Sequence, residues 1–186
     1  MQIKTKKLLI AIVTLLILIT GTIGATLAWL TDQTDTVKNT FTVGNVDITL
    51  TETTGDEYKM VPGNPINKDP KVTVLQNSEE CWLFIEIIES DNLADFIDYS
   101  LADGWSVLGG GVNNVYYRLV AASDIDQEFE VIAGNAVNVK STVTKDMMDD
   151  LEDDPTLLPT LTFKAYAVQK AGVDSAAEAW AIINTP

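Results

Sequence analysis

The chain has 186 residues, with 27 acidic and 12 basic side chains, a formal net charge of −15, one cysteine and no histidine. Without histidine, a His-Glu-x-x-His zinc site or a Ser/His/Asp or Cys/His triad cannot form within the chain, so we expect no enzyme activity, no metal site and no cofactor. The acidic balance also opposes binding to nucleic acid and to anionic lipid headgroups.

The N-terminus has the layout of a secretory signal peptide. Three lysines, at positions 4, 6 and 7, precede an apolar run from Leu8 to Ile19 and a tail of small residues. Thr26 and Ala28 stand at positions −3 and −1 of a predicted cleavage site before Trp29. A retained membrane anchor over residues 8–28 is the alternative. We favour cleavage because threonines and glycines interrupt the run and no basic cluster follows it.

Removal of residues 1–28 takes away three lysines and no acidic residue, which leaves 158 residues with a formal charge of −18. That length fits one domain. We therefore expect a secreted protein that meets the membrane only through its uncleaved signal. Because Cys81 is the single cysteine, no intrachain disulfide can form, and the core must be held by packing.

The mature chain is predicted to begin with an extended segment, residues 29–40, followed by a β-sandwich over residues 41–186. The segment is polar and threonine-rich, with few apolar anchors and no hairpin partner nearby. Apolar residues alternate from Phe41 onward, and the alternation changes phase at Gly44 and Asn45, which indicates a β-bulge or bend.

A turn-rich connection, residues 58–70, leads to a predicted strand with Val72 and Val74 on one side. Residues 81–88 are apolar on both parities, which is typical of a central strand covered on both faces. Cys81 begins this run, and we interpret it as a small buried hydrophobic residue rather than a nucleophile.

Further strands are predicted from alternating apolar residues at Ile97–Leu101, from Trp105 and Val107, and at Val115–Ala121. The glycine-rich stretch 109–114 indicates a loop rather than a phosphate cradle, because no P-loop lysine accompanies it. Two strands around Ala133-Gly134-Asn135, running from Phe129 to Val143, are predicted to form a hairpin.

A short acidic helix is predicted after Thr144, with Met148 and Leu151 one turn apart. Its carboxylates lack the spacing of a calcium loop, so we interpret them as a solvated face. A strand at residues 161–167 and a final helix with Ser175 and Glu178 at capping-box spacing complete the pattern, and Trp180 is expected to fill the core beneath a sheet. About eight short strands and two small helices predict a mainly β, jelly-roll-like sandwich.

Several motifs in order along the chain resemble the TasA and camelysin-like proteins, which are exported with a dedicated SipW-type signal peptidase. Thr26-Leu27-Ala28 is similar to their cleavage tail, and Trp29-Leu30-Thr31-Asp32 to the residues that follow it. Residues 39–50, NTFTVGNVDITL, resemble the pattern NTF-x-x-G-x-x-D-L-x-L, and Met60-Val61-Pro62-Gly63 resembles a turn that usually continues with Asp, where this chain has Asn64. The likeness extends loosely to residues 72–77 and weakens beyond residue 88.

This resemblance implies a subunit of extracellular matrix (biofilm) fibres in which the N-terminal strand of one molecule inserts into the sheet of the next. The implied donor strand begins with Trp29, Leu30, Thr31 and Asp32, and the implied partners are other copies of the chain, the SipW-type peptidase and other matrix proteins. An extended segment with no local partner leaves backbone donors and acceptors free, and addition to a sheet satisfies them.

Two alternatives stay open at the level of sequence. Camelysin is known as a surface metalloprotease, but a zinc site here would have only carboxylates and Cys81 as ligands. The chain could instead be a monomeric adhesin or carbohydrate-binding sandwich, with Trp105, Tyr116 and Tyr117 as a stacking platform, although such aromatics more often pack in a core or across strands.

Overall fold

The computed structural model describes residues 45–55 and 58–185. The predicted signal peptide, its cleavage site at Thr26, Ala28 and Trp29, and the extended segment 29–40 therefore lie outside the described residues. Within these ranges the fold is mainly β, as predicted. In chain order its elements are β1 (Ile48–Thr51), β2 (Pro65–Asn67), β3 (Lys71–Val74), β4 (Cys81–Glu89), α1 (Leu93–Phe96), β5 (Ile97–Asp98), β6 (Ser106–Gly109), β7 (Val112–Val120), β8 (Gln127–Glu130), β9 (Ala136–Val139), α2 (Lys145–Asp153), β10 (Leu161–Gln169) and α3 (Ala176–Ile183).

The strands form three antiparallel sheets. The four-stranded sheet has the order β10-β4-β7-β6, the β3 sheet has the order β1-β3-β8, and the β9 sheet has the order β2-β9-β5. The inner face of the four-stranded sheet packs against the other two, and α3 covers its outer face. This layered arrangement is compatible with a β-sandwich.

Strand β4 is central and covered on both faces, as its two apolar parities predict. On the inner face, Leu83 and Ile85 are fully buried in a core shared with Val72 and Val74 of β3. On the outer face, the fully buried Phe84 ring lies 5.3 Å from the Trp180 ring of α3. Trp180 thus packs beneath a sheet, as expected.

Two of the predicted helices form with the predicted caps. The hydroxyl of Thr144 accepts a hydrogen bond from the Met147 amide and begins α2, and Leu151 is the buried residue of that helix. Ser175 accepts from the Glu178 amide at 3.2 Å, and the Glu178 carboxylate accepts from the Asp174 amide at 3.0 Å, so a reciprocal cap begins α3. Among the described residues, no helix is long and apolar enough to cross a membrane.

The predicted hairpin around Ala133-Gly134-Asn135 is wrong. Strand β8 pairs with β3, whereas β9 pairs with β2 and β5 in another sheet. The reason lies in Val131 and Ile132, which are consecutive and both fully buried, and which belong to different hydrophobic clusters. The chain therefore passes between two cores, and a 3-10 turn at Ala133–Asn135 starts the next strand instead of reversing the chain.

Three smaller predictions also need correction. The turn-rich segment 58–70 contains the short strand β2, and the strand predicted at Ile97–Leu101 is reduced to β5, which follows the single helical turn α1. The glycine run 109–111 is a turn, as predicted, but β6 and β7 continue to within two residues of each other, so the predicted loop to Asn114 is too long. The described residues thus contain ten strands and three helices rather than about eight and two.

Cys81 is completely buried, as expected for a hydrophobic role. Burial, followed by the nearby Glu80 charge, raises the pKa of its thiol to about 11.

Because the thiolate is the reactive form, we expect no reaction of the native protein with a thiol reagent at pH 8 and complete reaction in denaturant, measured by absorbance. The variant Ser106→Cys, on the exposed edge of β6, should react in the native state. Rapid native labelling of Cys81 would contradict this burial.

Candidate strand-acceptor groove

A groove separates the edge strands of two sheets, β1 and β10. Their Cα atoms approach within 8 Å, yet β1 pairs with β3 and β10 pairs with β4, not with each other. Val46 and Ile48 at the start of β1 pack against the same core as Ala165 and Ala167 of β10. Farther along, between the end of β1 and the start of β10, the gap widens into a cavity of about 830 Å³.

The wall of this groove is mostly apolar. Its hydrophobic lining comes from both edge strands, from the β9 sheet, from α1 and from the loop before β10, and it comprises Leu50, Met60, Ile66, Pro70, Leu93, Ile97, Val137, Leu158, Pro159, Leu161 and Phe163. Leu50 and Leu158 remain 37% and 48% exposed. A large concave apolar surface is a candidate binding site.

Strand β10 offers the longest regular edge beside this groove. All nine of its residues pair with β4 without a bulge, and no strand within the described residues pairs with its other side. The other edges are shorter or interrupted. β6 has an irregular register between Val107 and Gly109, and the four-residue β8 carries two glutamates. Bulges and charges protect an edge against strand addition, so β10 is the edge best suited to accept another strand.

A buried ion pair lies in the wall of the groove. Lys68 Nζ donates to the two carboxylate oxygens of Glu52 at 2.8 and 3.0 Å, and the Tyr58 hydroxyl donates to the same carboxylate at 2.6 Å. The ammonium also lies 5.0 Å from the Tyr58 ring centroid and 5.5 Å from that of Phe163. Burial and the bond to Glu52 raise the pKa of Tyr58. Within the described residues, the Glu52 carboxylate is thus shared between Lys68 and Tyr58.

The rim of the groove beyond β1 is fixed by one carboxylate. Asp69 accepts hydrogen bonds from the backbone amides of Thr53 and Thr54 at 2.9 and 3.1 Å, and from the hydroxyls of both threonines. The hydrogen bond from the Thr53 hydroxyl is the main reason that the pKa of Asp69 falls to about 2. The turn that ends β1 is thus tied to the residue that precedes β3.

On the opposite side of the sandwich, Arg118, the single arginine of the chain, lies between β7 and β8. Arg118 lies opposite Leu83 on the inner face, and its guanidinium carbon is 4.0 Å from the Phe129 ring centroid and 5.3 Å from that of Trp105. Its nitrogen packs so tightly on Gly104 that a Cβ there would lie 2.7 Å away. This stack packs the inner side of a smaller, more polar pocket of about 450 Å³, so among the described residues the β1–β10 groove is the larger of the two and the more apolar.

The aromatic platform proposed for a carbohydrate does not form. Tyr116 and Tyr117 lie on opposite faces of β7, since Tyr116 packs in the inner core whereas the Tyr117 ring is 5.9 Å from the Trp82 ring on the outer face. Trp105 packs toward the inner core and donates to the Glu130 carbonyl at 2.8 Å.

Within residues 45–55 and 58–185, no cluster of three His, Cys, Asp or Glu side chains could hold a metal ion.

The structure brings none of the predicted site residues into view, because Thr26, Ala28 and Trp29–Asp32 lie outside the described residues. It shows instead a groove, the candidate acceptor, that sequence reasoning did not identify. Two features of the sequence point to its edge strand and its rim, though not to the groove itself, namely the uninterrupted strand pattern from Leu161 and the adjacent Leu157-Leu158 pair in a loop. Comparison with protein-family models, curated proteins and solved structures finds no match to this chain.

The rim contact predicts a pH dependence. Since the folded-state pKa of Asp69 is lowered from 3.8 to about 2, its bonds to Thr53 and Thr54 are complete above pH 4 and are lost as the pH falls toward 2. We expect the amide resonances of Thr53 and Thr54 to shift with a midpoint near pH 2, and the variant Asp69→Asn to change them already at neutral pH. Asp154→Asn, which alters a similar carboxylate at Thr156 far along the chain, is the matched control. A midpoint near 4 would show that the rim contact does not form.

Proposed function

We propose that this protein is a secreted structural subunit of extracellular matrix fibres, which polymerises when the N-terminal strand of one molecule enters the β1–β10 groove of the next. The observation that carries the proposal is the combination of a mostly apolar groove with a regular nine-residue strand edge that carries one charge, Lys164, and with which no other described strand pairs. The body of the subunit is, in this proposal, a jelly-roll-like sandwich, and the TasA and camelysin-like proteins are its proposed relatives.

The physical basis of the proposal is that the donor segment and the groove complement each other in backbone hydrogen-bonding groups and in apolar side chains. The edge of β10 presents backbone amides and carbonyls with no partner strand among the described residues, and the groove exposes apolar side chains. Residues 29–40, which the sequence predicts to be extended, are threonine-rich and have apolar anchors at Trp29 and Leu30. Strand addition gives hydrogen bonds to both backbones and buries the anchors, which is the usual mode of β-augmentation.

Proteolysis is the proposed trigger. Before cleavage, Trp29 is joined to the signal peptide through Ala28, so it cannot thread into a neighbouring molecule. Cleavage between Ala28 and Trp29 by a SipW-type signal peptidase frees the donor strand outside the cell. Equal fibre growth from cleaved and uncleaved protein would exclude this trigger.

The geometry of strand donation leads to filaments. The donor and the acceptor are different surfaces of the same chain, so each contact is heterologous and leaves one donor and one acceptor free at the ends. Such contacts form an open filament unless their rotation closes a ring.

A persistent monomer in size-exclusion chromatography would instead favour the adhesin alternative, and caseinolysis abolished by a chelator would favour the metalloprotease.

Deletion of residues 29–35 from the mature chain tests the donor. We expect a folded domain with an unchanged circular dichroism spectrum that forms no fibres in negative-stain electron microscopy, because the apolar anchors Trp29 and Leu30 are gone. The mature chain beginning at Trp29 is the control and should polymerise with increasing concentration. Fibres of normal abundance from the truncated protein would disprove strand donation by this segment.

The variant Leu50→Asp tests the acceptor. Leu50 is 37% exposed and lines the groove, so a carboxylate there should change stability little but should oppose docking of an apolar strand. We expect at least a tenfold rise in the concentration needed for polymerisation, measured by light scattering. Val107→Asp is the matched control, because Val107 is 66% exposed on the edge strand β6, away from the groove. Equal effects of the two variants would argue against this groove.

A further inference from the structure

The wall of the groove contains one ion pair that stability alone does not explain. Lys68 is only 8% exposed, and its ion pair with the partly exposed Glu52 lines a mostly apolar cavity whose other polar lining residues are threonines and Tyr58. Removal of two charges from water costs about as much as their attraction returns, so apolar residues of similar size would often be as stable. The best-attested benefit of such a pair is that it fixes one arrangement among several.

We propose that the Lys68–Glu52 pair sets the register of the strand that enters the groove, by requiring an oxygen-bearing side chain, which we assign to Asp32, at the position beside Lys68. This inference rests on the proposed function and adds to it the residue pair that determines specificity. It concerns the register at which the strand binds and the contribution of Asp32 to binding in that register.

The hydrogen bonds of the ammonium leave a donor for this contact. A lysine ammonium has three N–H donors, and the two bonds that Lys68 Nζ forms within the described residues both go to Glu52. The flanking rings of Tyr58 and Phe163 hold the ammonium in place without supplying an oxygen acceptor for it. A carboxylate or hydroxyl on the incoming strand can take the remaining proton.

The apolar part of the groove cannot provide the same discrimination. A slip of one residue turns every side chain of a strand to its other face, and a slip of two keeps the face but moves each side chain along the groove. The apolar wall of leucine, methionine and isoleucine side chains can contact any apolar side chain of the strand, so it does not distinguish one register from the next. An apolar side chain placed against Lys68, in contrast, would remove water from the ammonium without replacing the lost hydrogen bond. Registers that do so are disfavoured.

Asp32 is the residue that fits the requirement. In an extended strand it shares a face with Leu30, two residues earlier, so Leu30 can contact the apolar wall while the Asp32 carboxylate reaches Lys68. Asp35 has the opposite parity and would point away from this wall. The two aspartates of the segment therefore have distinguishable roles.

The test maps register in fibres of the mature chain with a photo-crosslinking amino acid at Leu30. Crosslinked peptides identified by mass spectrometry should fall at one site in the wild type and spread over sites two or more residues apart in Lys68→Met/Glu52→Gln. The exposed pair Lys71–Glu128, 3.0 Å apart, supplies the matched control Lys71→Met/Glu128→Gln, which should keep a single site. A single site in all three proteins would overturn the register proposal and leave strand donation intact, whereas wild-type protein without intermolecular crosslinks would overturn both.

A second comparison leaves the acceptor body unchanged. Asp32→Leu should raise the critical concentration of the mature chain about tenfold or more, because it removes a hydrogen bond to a charged group, while Asp35→Leu should leave it near the wild-type value. Equal values for Asp32→Leu and the wild type would overturn the assignment, even if the double variant in the groove fails to fold.

Discussion

The edge of β10 with which no other described strand pairs is the constraint on which the proposed behaviour of this protein depends. A strand edge presents its backbone amides and carbonyls to another strand, and β10 lies along a groove whose wall is mostly apolar. The neighbouring edge strand β1 comes close but belongs to another sheet. Addition of a strand would pair the backbone groups of this edge and cover the apolar wall at the same time, so these two contributions to binding are coupled.

The rest of the fold holds this groove ready for a ligand strand. β4 is buried on both faces, with the inner core on one side and the Phe84–Trp180 contact with α3 on the other, so β10 is attached to a rigid neighbour along its whole length. On the far side of the sandwich, Arg118 stacks on Trp105 and Phe129 and so joins the two sheets. Pre-organised walls reduce the ordering cost of binding, which then falls mainly on the incoming segment.

Sequence reasoning predicted the elements whose signals are local. Both parities of residues 81–88 are apolar, Thr144 and Ser175 have capping geometry, and Leu161 to Ala167 alternate cleanly, so β4, α2, α3 and β10 followed from short windows. The predicted β8–β9 hairpin is wrong because the residues between the two strands, Val131 and Ile132, enter different cores, so strands that are neighbours in sequence belong to different sheets. The groove could not be predicted, since its walls come from segments that are distant in sequence and it exists only where two sheets diverge.

The net charge of the chain gives a physical reason why the proposed contact is made by a strand rather than by a broad surface. A mature chain with a formal charge of −18 repels its copies over the range of a Debye length, about 8 Å at physiological ionic strength, so broad face-to-face association of subunits is opposed. A strand carries its binding energy in backbone hydrogen bonds and a few anchors, and residues 29–40 hold only two acidic residues and one lysine. The proposed assembly through this segment needs little contact between the acidic surfaces, and the proposed contact of Asp32 with Lys68 uses one of the segment's few charges to determine register.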